Sequence, residues 1–402
     1  MRACTASSLM SRVADRAYGS RTLWLWWHGL RDRLRGDHGR ANARWGHLRP
    51  PAGGGRLVWI EAGGAQGSVR LAAGVVRALR QARHDLRLVL SFEREYPLLL
   101  ERALSGLERT AFGHGPSDSA RAVRRALRSL APLGVLMVAR DPAPNLSAAL
   151  EAAGVRCIAL HTPAATTGRF QAVYPADRSQ VEAWQRCGRA DYIAPQADLT
   201  TLLVEAQVEP NFRAVLCGGA DLAIWCLLGA SPQRFPELDA WWTGSGLGRS
   251  GVLLVAPARS GRTPAAWLRI SDWQRTPLAA GRVVLLDDSR WLPAATASSD
   301  AIHVMDPDAW TFWQALAGGC PVSVSDRSAV LRRFDADTAA GAADRLFEEA
   351  PMLTQLEQFW TAMRADPIGG RLRGDGLRRL FWSERRRAAD VNHELLKRVF
   401  AW

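Results

Sequence analysis

The sequence predicts two α/β domains, each built around a doubly wound parallel sheet. The chain has 402 residues, more than the roughly 250–300 at which a single core stops growing. Short apolar runs alternate with helical stretches along most of its length, which is typical of parallel sheets covered by helices. No apolar run reaches the roughly 20 residues that span a bilayer, so we expect a soluble or peripheral protein.

The first domain is predicted from a strand, a glycine turn and a helix in direct succession. Residues 56–62 form a buried apolar run, residues 63–68 form the turn, and an apolar-periodic helix covers residues 69–82. Further strands are predicted at residues 86–92, 134–139 and 155–161, with helices at residues 118–130 and 145–153.

The second domain is predicted after a polar segment rich in Pro and Gly, residues 210–229. Because ligands of open α/β sheets bind outside the carboxyl ends of the strands, we expect the two domains to face a central cleft. Its strands are predicted at residues 252–256, 283–286, 301–304 and 321–324, with a helix opening at residues 311–316. The predicted segments are a membrane-associating segment over residues 1–50, the two α/β domains over residues 51–210 and 211–370, and a basic C-terminal helix over residues 371–402.

The net charge of +13 is concentrated at the two ends of the chain. All the basic residues except Lys397 are Arg, a bias typical of a GC-rich genome, so the overall pI is a weak guide. Residues 1–50 carry ten Arg against three Asp, and residues 371–402 carry nine Lys or Arg against four acids. The nearly neutral middle argues against a nucleic-acid cleft, whereas basic ends suit an anionic membrane surface or phosphorylated lipid. Solvated Arg-rich helix faces remain the alternative.

Residues 23–30, with the sequence LWLWWHGL, are followed at once by Arg31, Arg33 and Arg35. Trp and Leu next to Arg are typical of a helix that lies in a membrane interface, so we predict an amphipathic membrane-associating segment. The alternative is an N-terminal helix that packs its aromatic side chains on the domain.

The cysteines indicate reduced thiols in a cytoplasmic protein. They occur singly, without a C-x-x-C pair or a His at ligand spacing, so a zinc site is not expected. The six positions are Cys4, Cys157, Cys187, Cys217, Cys226 and Cys320.

Several stretches, in order, resemble the 3-deoxy-D-manno-octulosonic acid (Kdo) transferases of lipopolysaccharide synthesis. The similarity covers most of the chain. Its longest match runs from Val284 to Leu292 and then from Ala297 to Val304, which resemble the family's "LGDTMGEL…AAADVAFVGGS". The other similar stretches are Arg44-Trp45-Gly46, Val58 to Ala62, Val76 to Leu79, Pro144-Asn145-Leu146 after Asp141, Ala194-Pro195-Gln196, Leu254 to Pro257 with Arg262, and Ala317 to Val322. The resemblance implies the GT-B fold, two Rossmann-like domains facing a central cleft.

The same resemblance shows where this chain departs from the family. The family's first glycine turn, "SVGE", carries a Glu regarded as the general base, but here the turn ends in Ala65-Gln66-Gly67-Ser68. The Glu of the family's "NPLEP" aligns with Gln314. Asp141 matches the acidic position of "ELWPNL" and is the best surviving carboxylate, although capping the helix from Asn145 is an equally good role for it.

These matches imply a candidate site. Asp141 and the turn residue Gln66 are the candidate catalytic positions. The candidate substrate-binding residues are Gly63, Gly64, Gly67 and Ser68 at a helix N-terminus, Arg262 for a phosphate, Asp287, Asp288 and Ser289 at a strand end, and Thr311 with Gln314 for a ribose or sugar. No metal or other cofactor is expected; the donor implied by the family is cytidine-monophosphate (CMP)-Kdo.

Two functions from different classes remain open. The first is a transferase that moves a sugar from the CMP-activated donor to a lipid A-type acceptor, at the cytoplasmic face of the bacterial inner membrane. The second is an inactive relative that binds anionic lipid or a partner enzyme, which the missing Glu favours because loss of a general base costs about 10²–10⁴-fold in rate. A sugar-nucleotide epimerase of the same fold is a weaker third hypothesis.

Overall fold

The computed structural model of the protein describes most of the chain. The first 21 residues, which include Cys4 and part of the predicted membrane segment, lie outside the described residues. So do the side chains of residues 22–26, which belong to the same segment. Described are residues 22–141, 143–205, 211–259, 261–306 and 308–402, with only the backbone for residues 22–26 and 342–344.

The chain divides into two compact units. The first unit combines residues up to Ala197 with Asp390–Trp402, and the second covers Asp198–Ala389. The change from one unit to the other lies 13 residues before the boundary at 210/211 that the sequence predicts, and the last residues of the chain return to the first unit.

The first unit contains six strands and seven helices within its described residues before residue 198. The strands are β1 (Leu57–Ala62), β2 (Arg87–Phe92), β3 (Thr110–His114), β4 (Gly134–Val138), β5 (Arg156–Leu160) and β6 (Ala172–Tyr174). The helices are α1 (Thr22–Leu34), α2 (His38–Arg44), α3 (Gln66–Ala82), α4 (Pro97–Leu104), α5 (Ala120–Leu130), α6 (Pro144–Ala152) and α7 (Arg178–Cys187).

The first sheet is fully parallel, with the strand order β3-β2-β1-β4-β5-β6. β1 and β4 are buried along their whole length, because helices cover both faces of such a sheet and leave no polar side. Trp59 and Trp184 lie in one core cluster with the apolar side chains of α5 and α6. β3 and β6 are further strands that the sequence pattern did not predict.

The N-terminal helices α1 and α2 are joined by a buried ion pair. The guanidinium of Arg44 donates to Asp32 over 2.6 Å, and both side chains are almost fully buried. Three apolar side chains of α1, Trp27, Leu30 and Leu34, are exposed instead. None of the helices that the structure describes is long and apolar enough to cross a bilayer.

Within its described residues the second unit contains seven strands. They are β7 (Ala223–Ala230), β8 (Gly251–Pro257), β9 (Leu268–Arg269), β10 (Val283–Leu285), β11 (Ala301–Val304), β12 (Val322–Val324) and β13 (Glu348–Glu349). Its helices within the described residues are α8 (Phe212–Cys217), α9 (Phe235–Gly244), α10 (Leu292–Ser298), α11 (Ala309–Gly318), α12 (Arg327–Leu331), α13 (Leu353–Ala365) and α14 (Pro367–Phe400). Short 3₁₀ turns lie at Leu199–Leu203, Pro232–Arg234, Leu247–Ser250, Ile270–Asp272 and Ser289–Trp291. Further helical turns cover residues 336–346.

The second sheet is also fully parallel, with the order β13-β12-β11-β7-β8-β10-β9. Its central strand β7 is buried at every position, although the sequence interpretation assigned residues 210–229 to a polar connecting segment. That interpretation is wrong for residues 223–229. Glycines on either side obscured an uninterrupted apolar run, which is the pattern of a strand buried on both faces.

The last helix, α14, runs through residues of both units. The residues from Asp390 on belong to the first unit. Trp402, which follows α14, donates from its indole N–H to Gln171 over 2.7 Å, and Arg56 donates to the Trp402 carbonyl over 2.8 Å. Tyr192 also donates to Glu394. Residues 371–402, predicted as a basic C-terminal helix, belong to α14 as far as Phe400.

Candidate functional site

The first sheet has its topological switch point between β1 and β4. From β1 the strand order runs one way to β2 and β3 and the other way to β4, β5 and β6. In open parallel sheets, ligands bind in the crevice outside the carboxyl ends of the two strands that flank this point. A ligand site of this sheet is therefore expected at the turns after Ala62 and after Val138.

The two turns are fastened to each other. The Gly63 amide donates to the Val138 carbonyl over 3.1 Å, and Ser68 Oγ donates to the Ala139 carbonyl over 2.9 Å. A Cβ on Gly63 would collide with that same carbonyl of Ala139. Gly63 and Ser68, two of the predicted binding residues, thus hold the turn after β1 against the turn after β4.

Helix α3 begins directly after the glycine turn with its N-terminus uncapped by a side chain. Its N-cap is Ala65, and no acidic residue lies in the first turn. Gln66 is exposed there, and nothing would contact a Cβ added to Gly67. Free amides at a helix N-terminus attract negative charge. Gly63, Gly64, Gln66, Gly67 and Ser68 all lie at this edge.

Asp141 also follows β4 at this edge, and it is exposed. The alternative role considered for it, capping of α6, is wrong. That cap is Asp118, whose carboxylate accepts from the amides of Asn145 (3.2 Å) and Leu146 (2.8 Å). Asp118 comes from the loop before α5, so a contact distant in sequence supplies the cap. The catalytic role of Asp141 stays a prediction.

A buried ionic cluster lies just below the switch point. Glu61 on β1 is fully buried, pairs with Arg140 and accepts a hydrogen bond from Ser91, its register partner on β2. Ser91 Oγ in turn accepts from the Trp59 indole over 2.6 Å. Burial raises the pKa of Glu61 to about 7, although the Arg140 guanidinium acts in the opposite direction. We call Trp59, Glu61, Ser91 and Arg140 the Glu61 cluster.

A second carboxylate, that of Glu93, reaches the glycine turn from β2 and is not among the residues that the sequence predicts. Glu93 follows the last residue of β2 and lies 3.6 Å from Arg140 Nε. Tyr96, in the same loop, donates from its hydroxyl to the Gly64 carbonyl over 2.9 Å. The position of Glu93 directly after a strand of a parallel sheet was the one signal that would have selected it.

The second sheet has its switch point between β7 and β11. His303 on β11 is 2% exposed there. Its Nδ1 lies 3.0 Å from Ser323 Oγ, and its Nε2 lies 3.1 Å from Ser325 Oγ. Burial, helped by the positive charge of Arg234, lowers the pKa of His303 to about 3. The imidazole is therefore neutral at physiological pH and exchanges hydrogen bonds with two hydroxyls.

Four predicted binding residues of the second unit follow strand ends. Asp287 accepts from the Ser271 amide (3.1 Å) and hydroxyl (2.7 Å), and Asp288 accepts from Arg290 Nε over 2.6 Å. These two carboxylates are therefore held by local partners. Ser289 and Arg262 are exposed.

Helix α11 carries the two remaining predicted residues. Its N-cap, Asp308, accepts from the amide of Thr311 over 2.7 Å. Gln314 is 2% exposed and donates from Nε2 to the Glu205 carbonyl over 3.1 Å, whereas its Oε1 has no hydrogen-bond partner among the described residues. Each group of predicted residues thus lies at the carboxyl edge of its own sheet, and their roles stay predictions.

A basic groove lies on the helical surface of the first unit, between α5 and α6. Its volume is about 800 Å³, and its floor is apolar. Arg125 also lines a second depression, which includes Leu30 and Arg33 of α1. The groove is lined by Arg121, Arg124, Arg125, Leu127, Arg128, Ala149, Ala152 and Ala153.

Comparison with known families gives one match. Residues 39–164 match the model of the N-terminal domain of 3-deoxy-D-manno-octulosonic-acid transferases. The matched region runs from α2 through β5 and includes the switch point and the Glu61 cluster. The match supports glycosyl transfer as the general chemistry. No curated protein sequence matches the chain.

Solved structures with the same fold share little sequence with the chain. HepE from Anabaena, in complex with UDP and glucose, is 11% identical, with a TM-score of 0.55 over 87% of this chain and all of its own. S. aureus MnaA, with UDP, is 9% identical, with a TM-score of 0.54 over 80% of this chain and 91% of its own. The Neisseria meningitidis UDP-GlcNAc 2-epimerase bound to UDP-GlcNAc is 11% identical, with a TM-score of 0.51 over 85% of this chain and all of its own. The fold is GT-B, with two Rossmann-like domains.

Proposed function

Because residues 39–164 match the model of the Kdo transferase family, we propose that the protein is a glycosyltransferase of lipopolysaccharide synthesis. It moves a sugar from a CMP-activated donor, CMP-Kdo, to a hydroxyl of a lipid A-type acceptor. The family match carries the proposal, since it covers the strands that flank the first switch point. The epimerases among the similar structures support the fold alone.

The reaction consists of three events. The acceptor hydroxyl loses a proton, its oxygen bonds to the anomeric carbon of the sugar, and the nucleotide leaves with its phosphate. A side chain must accept the proton, and positive groups or helix N-termini must stabilise the leaving phosphate.

We place the nucleotide sugar at the carboxyl edge of the second sheet. Three similar structures hold UDP, alone or with a sugar, or UDP-GlcNAc, so a pyrimidine nucleotide fits this fold. The unpartnered Oε1 of Gln314 is suited to accept a hydrogen bond from a ribose or sugar hydroxyl, and Arg262 is suited to pair with phosphate. The neutral His303 adds no charge near the switch point of this sheet.

We place the lipid acceptor on the first unit, at an anionic membrane surface. The basic groove offers Arg side chains around an apolar floor, and α1 adds the exposed Trp27, Leu30 and Leu34. Arg next to exposed Trp and Leu is the composition of an interfacial contact. The cytoplasmic face of the inner membrane supplies such a surface.

A transfer assay with a panel of donors tests the function. The full chain is incubated with a tetraacylated lipid A precursor and either CMP-Kdo or UDP-GlcNAc, and released nucleotide is measured with and without acceptor. We expect acceptor-dependent release from CMP-Kdo only. Transfer from UDP-GlcNAc alone would keep the transferase and reject the donor, and hydrolysis or isomerisation without transfer would reject the transferase.

Vesicle sedimentation tests the membrane contact. We expect binding to vesicles that contain anionic lipid but not to neutral ones, and binding should weaken as salt rises. Replacing Arg121, Arg124 and Arg128 together with Ser should abolish sedimentation. A matched control removes the same charge elsewhere on the first unit, by replacing the exposed Arg169, Arg186 and Arg189 with Ser. Equal loss in both variants would contradict a specific surface.

A further inference from the structure

We infer that Glu93 is the base that takes the proton from the acceptor hydroxyl, in place of the carboxylate that the glycine turn lacks. The inference rests on the transferase function proposed above. It concerns a residue outside every motif that links this chain to its family.

Glu93 lies at the same edge of the sheet as the glycine turn. β2 lies next to β1 in a parallel sheet, so the loop after Phe92 opens at the same edge as the glycine turn. Tyr96 fastens that loop to the turn through its 2.9 Å hydrogen bond to the Gly64 carbonyl. Glu93 is therefore held beside Gln66's turn although it is distant from it in sequence.

The Glu93 carboxylate occupies space that the missing side chain of Gly64 leaves open. Glu93 Oε2 lies 2.9 Å from the point that a Cβ on Gly64 would occupy. A side chain at residue 64 would therefore force the carboxylate to move. The glycine at this position lets a carboxylate from β2 stand over the turn, at the N-terminus of α3, where the helix amides favour negative charge.

Arg140 is a fixed cation beside the Glu93 carboxylate. Arg140 is 2% exposed and is held from below by Glu61 in the buried cluster. Its Nε lies 3.6 Å from Glu93 Oε1. A guanidinium at this distance favours the ionised carboxylate, the form that accepts a proton.

Exposure separates Glu93 from the other carboxylates at this edge. The Glu93 side chain is 21% exposed, whereas Glu61 is fully buried. Asp118 is occupied by the amides of α6. Asp141 is exposed as well, so it is the competing candidate, and the experiment below compares the two.

A Glu93 carboxylate oxygen takes the proton of the acceptor hydroxyl while that hydroxyl oxygen forms a bond to the anomeric carbon of the donor. The bond from the anomeric carbon to the leaving phosphate oxygen breaks, and its electron pair stays on the nucleotide. The carboxylic acid of Glu93 then returns its proton to water.

The decisive variant is Glu93→Gln, assayed with CMP-Kdo and the lipid A precursor. We expect kcat to fall by about 10²–10⁴-fold with little change in donor affinity measured by nucleotide binding. Glu95→Gln removes a carboxylate from the same loop, two residues away, and should change kcat less than about threefold. Asp141→Asn tests the competing carboxylate, and its kcat should fall by less than that of Glu93→Gln.

Two further readouts separate a base from a structural residue. The acidic limb of the pH dependence of kcat should be present in the native protein and absent in Glu93→Gln. Gly64→Ala should lower kcat by displacing the carboxylate, whereas Gly113→Ala, on the edge strand β3 and facing open space, should not. Thermal melting of all variants should stay within a few degrees of the native protein.

The outcomes distinguish the inference from the function. Native turnover with undiminished Glu93→Gln activity overturns the role of Glu93 and leaves the transferase standing. Loss confined to Asp141→Asn assigns the base to Asp141 and also overturns it. No turnover by the native protein overturns the transferase function and, with it, the inference.

Discussion

The two parallel sheets place different chemistry next to their switch points. In the first sheet, Glu61 and Arg140 form a buried ion pair below the turn, with a second carboxylate, Glu93, above it. In the second sheet, the buried group is His303, uncharged and bonded to two serine hydroxyls. The first sheet thus has a buried charge pair beneath its turn, whereas the buried titratable group of the second sheet is uncharged.

The largest expected effect comes from breaking the ion pair of the first sheet. Arg140→Met leaves Glu61 buried without its cation and should cost about 3–5 kcal/mol of stability at pH 8. Because burial raises the pKa of Glu61 to about 7, the carboxyl is mostly neutral at pH 5, and the loss should be smaller there. Denaturant unfolding at both pH values measures it.

Arg169→Met is the control for that prediction. Arg169 pairs with Asp191, but both side chains are exposed, so the change should cost less than about 1 kcal/mol at either pH. An equal cost for both variants, or a cost for Arg140→Met that does not depend on pH, would contradict the assignment of a buried charge to the first sheet.

The second sheet should show the opposite dependence on pH. Its His303 has a pKa lowered from 6.5 to about 3, so the unfolded chain binds a proton before the folded one does. The stability that this group contributes is fully present above pH 6.5 and is lost as the pH falls towards 3; the loss at pH 5 is about 2 kcal/mol.

His303→Gln keeps a group that bonds to serine hydroxyls but removes the titration. We expect its stability to fall less than that of the native protein between pH 7 and pH 5. The exposed His393, replaced in the same way, should leave the native slope unchanged. A slope that persists in His303→Gln would show that another group carries it.

The smallest expected effects are stability losses from replacing a glycine at the end of a strand, Gly63 in the first sheet and Gly229 in the second. At Gly63, Ala should cost about 1–2 kcal/mol because its Cβ meets the Ala139 carbonyl, and Asn should cost more. At Gly229, near the end of β7, φ is 74°, so Ala should cost about 1–2 kcal/mol and Asn less, since Asn tolerates the left-handed region. Thermal melting of the four variants tests this order, and the same order at both sites would contradict the distinction.

The sequence predicts local structure well where one stretch contains its own signal. The run from Val58 to Ala62, the glycines after it and the periodic helix that follows are all found as β1, the turn and α3. β7 was missed because flanking glycines suggested a connection, and β3 was missed because residues 110–114 are only partly buried at an edge position.

The candidate site depends on contacts that no local pattern contains. Arg140 meets Glu61 across 79 positions, and Asp118 caps α6 from 27 and 28 positions away. Glu93 reaches Gly64 only because β2 pairs with β1. Strand order decides which strand ends are neighbours, and the order follows from the packing of the whole sheet.

The most direct test of the account is the mass of the lipid acceptor after incubation with CMP-Kdo and the full chain, native or Glu93→Gln. We expect the acceptor to gain the mass of transferred Kdo with the native protein and almost none with the variant in the same time. An acceptor of unchanged mass after incubation with the native protein would contradict it.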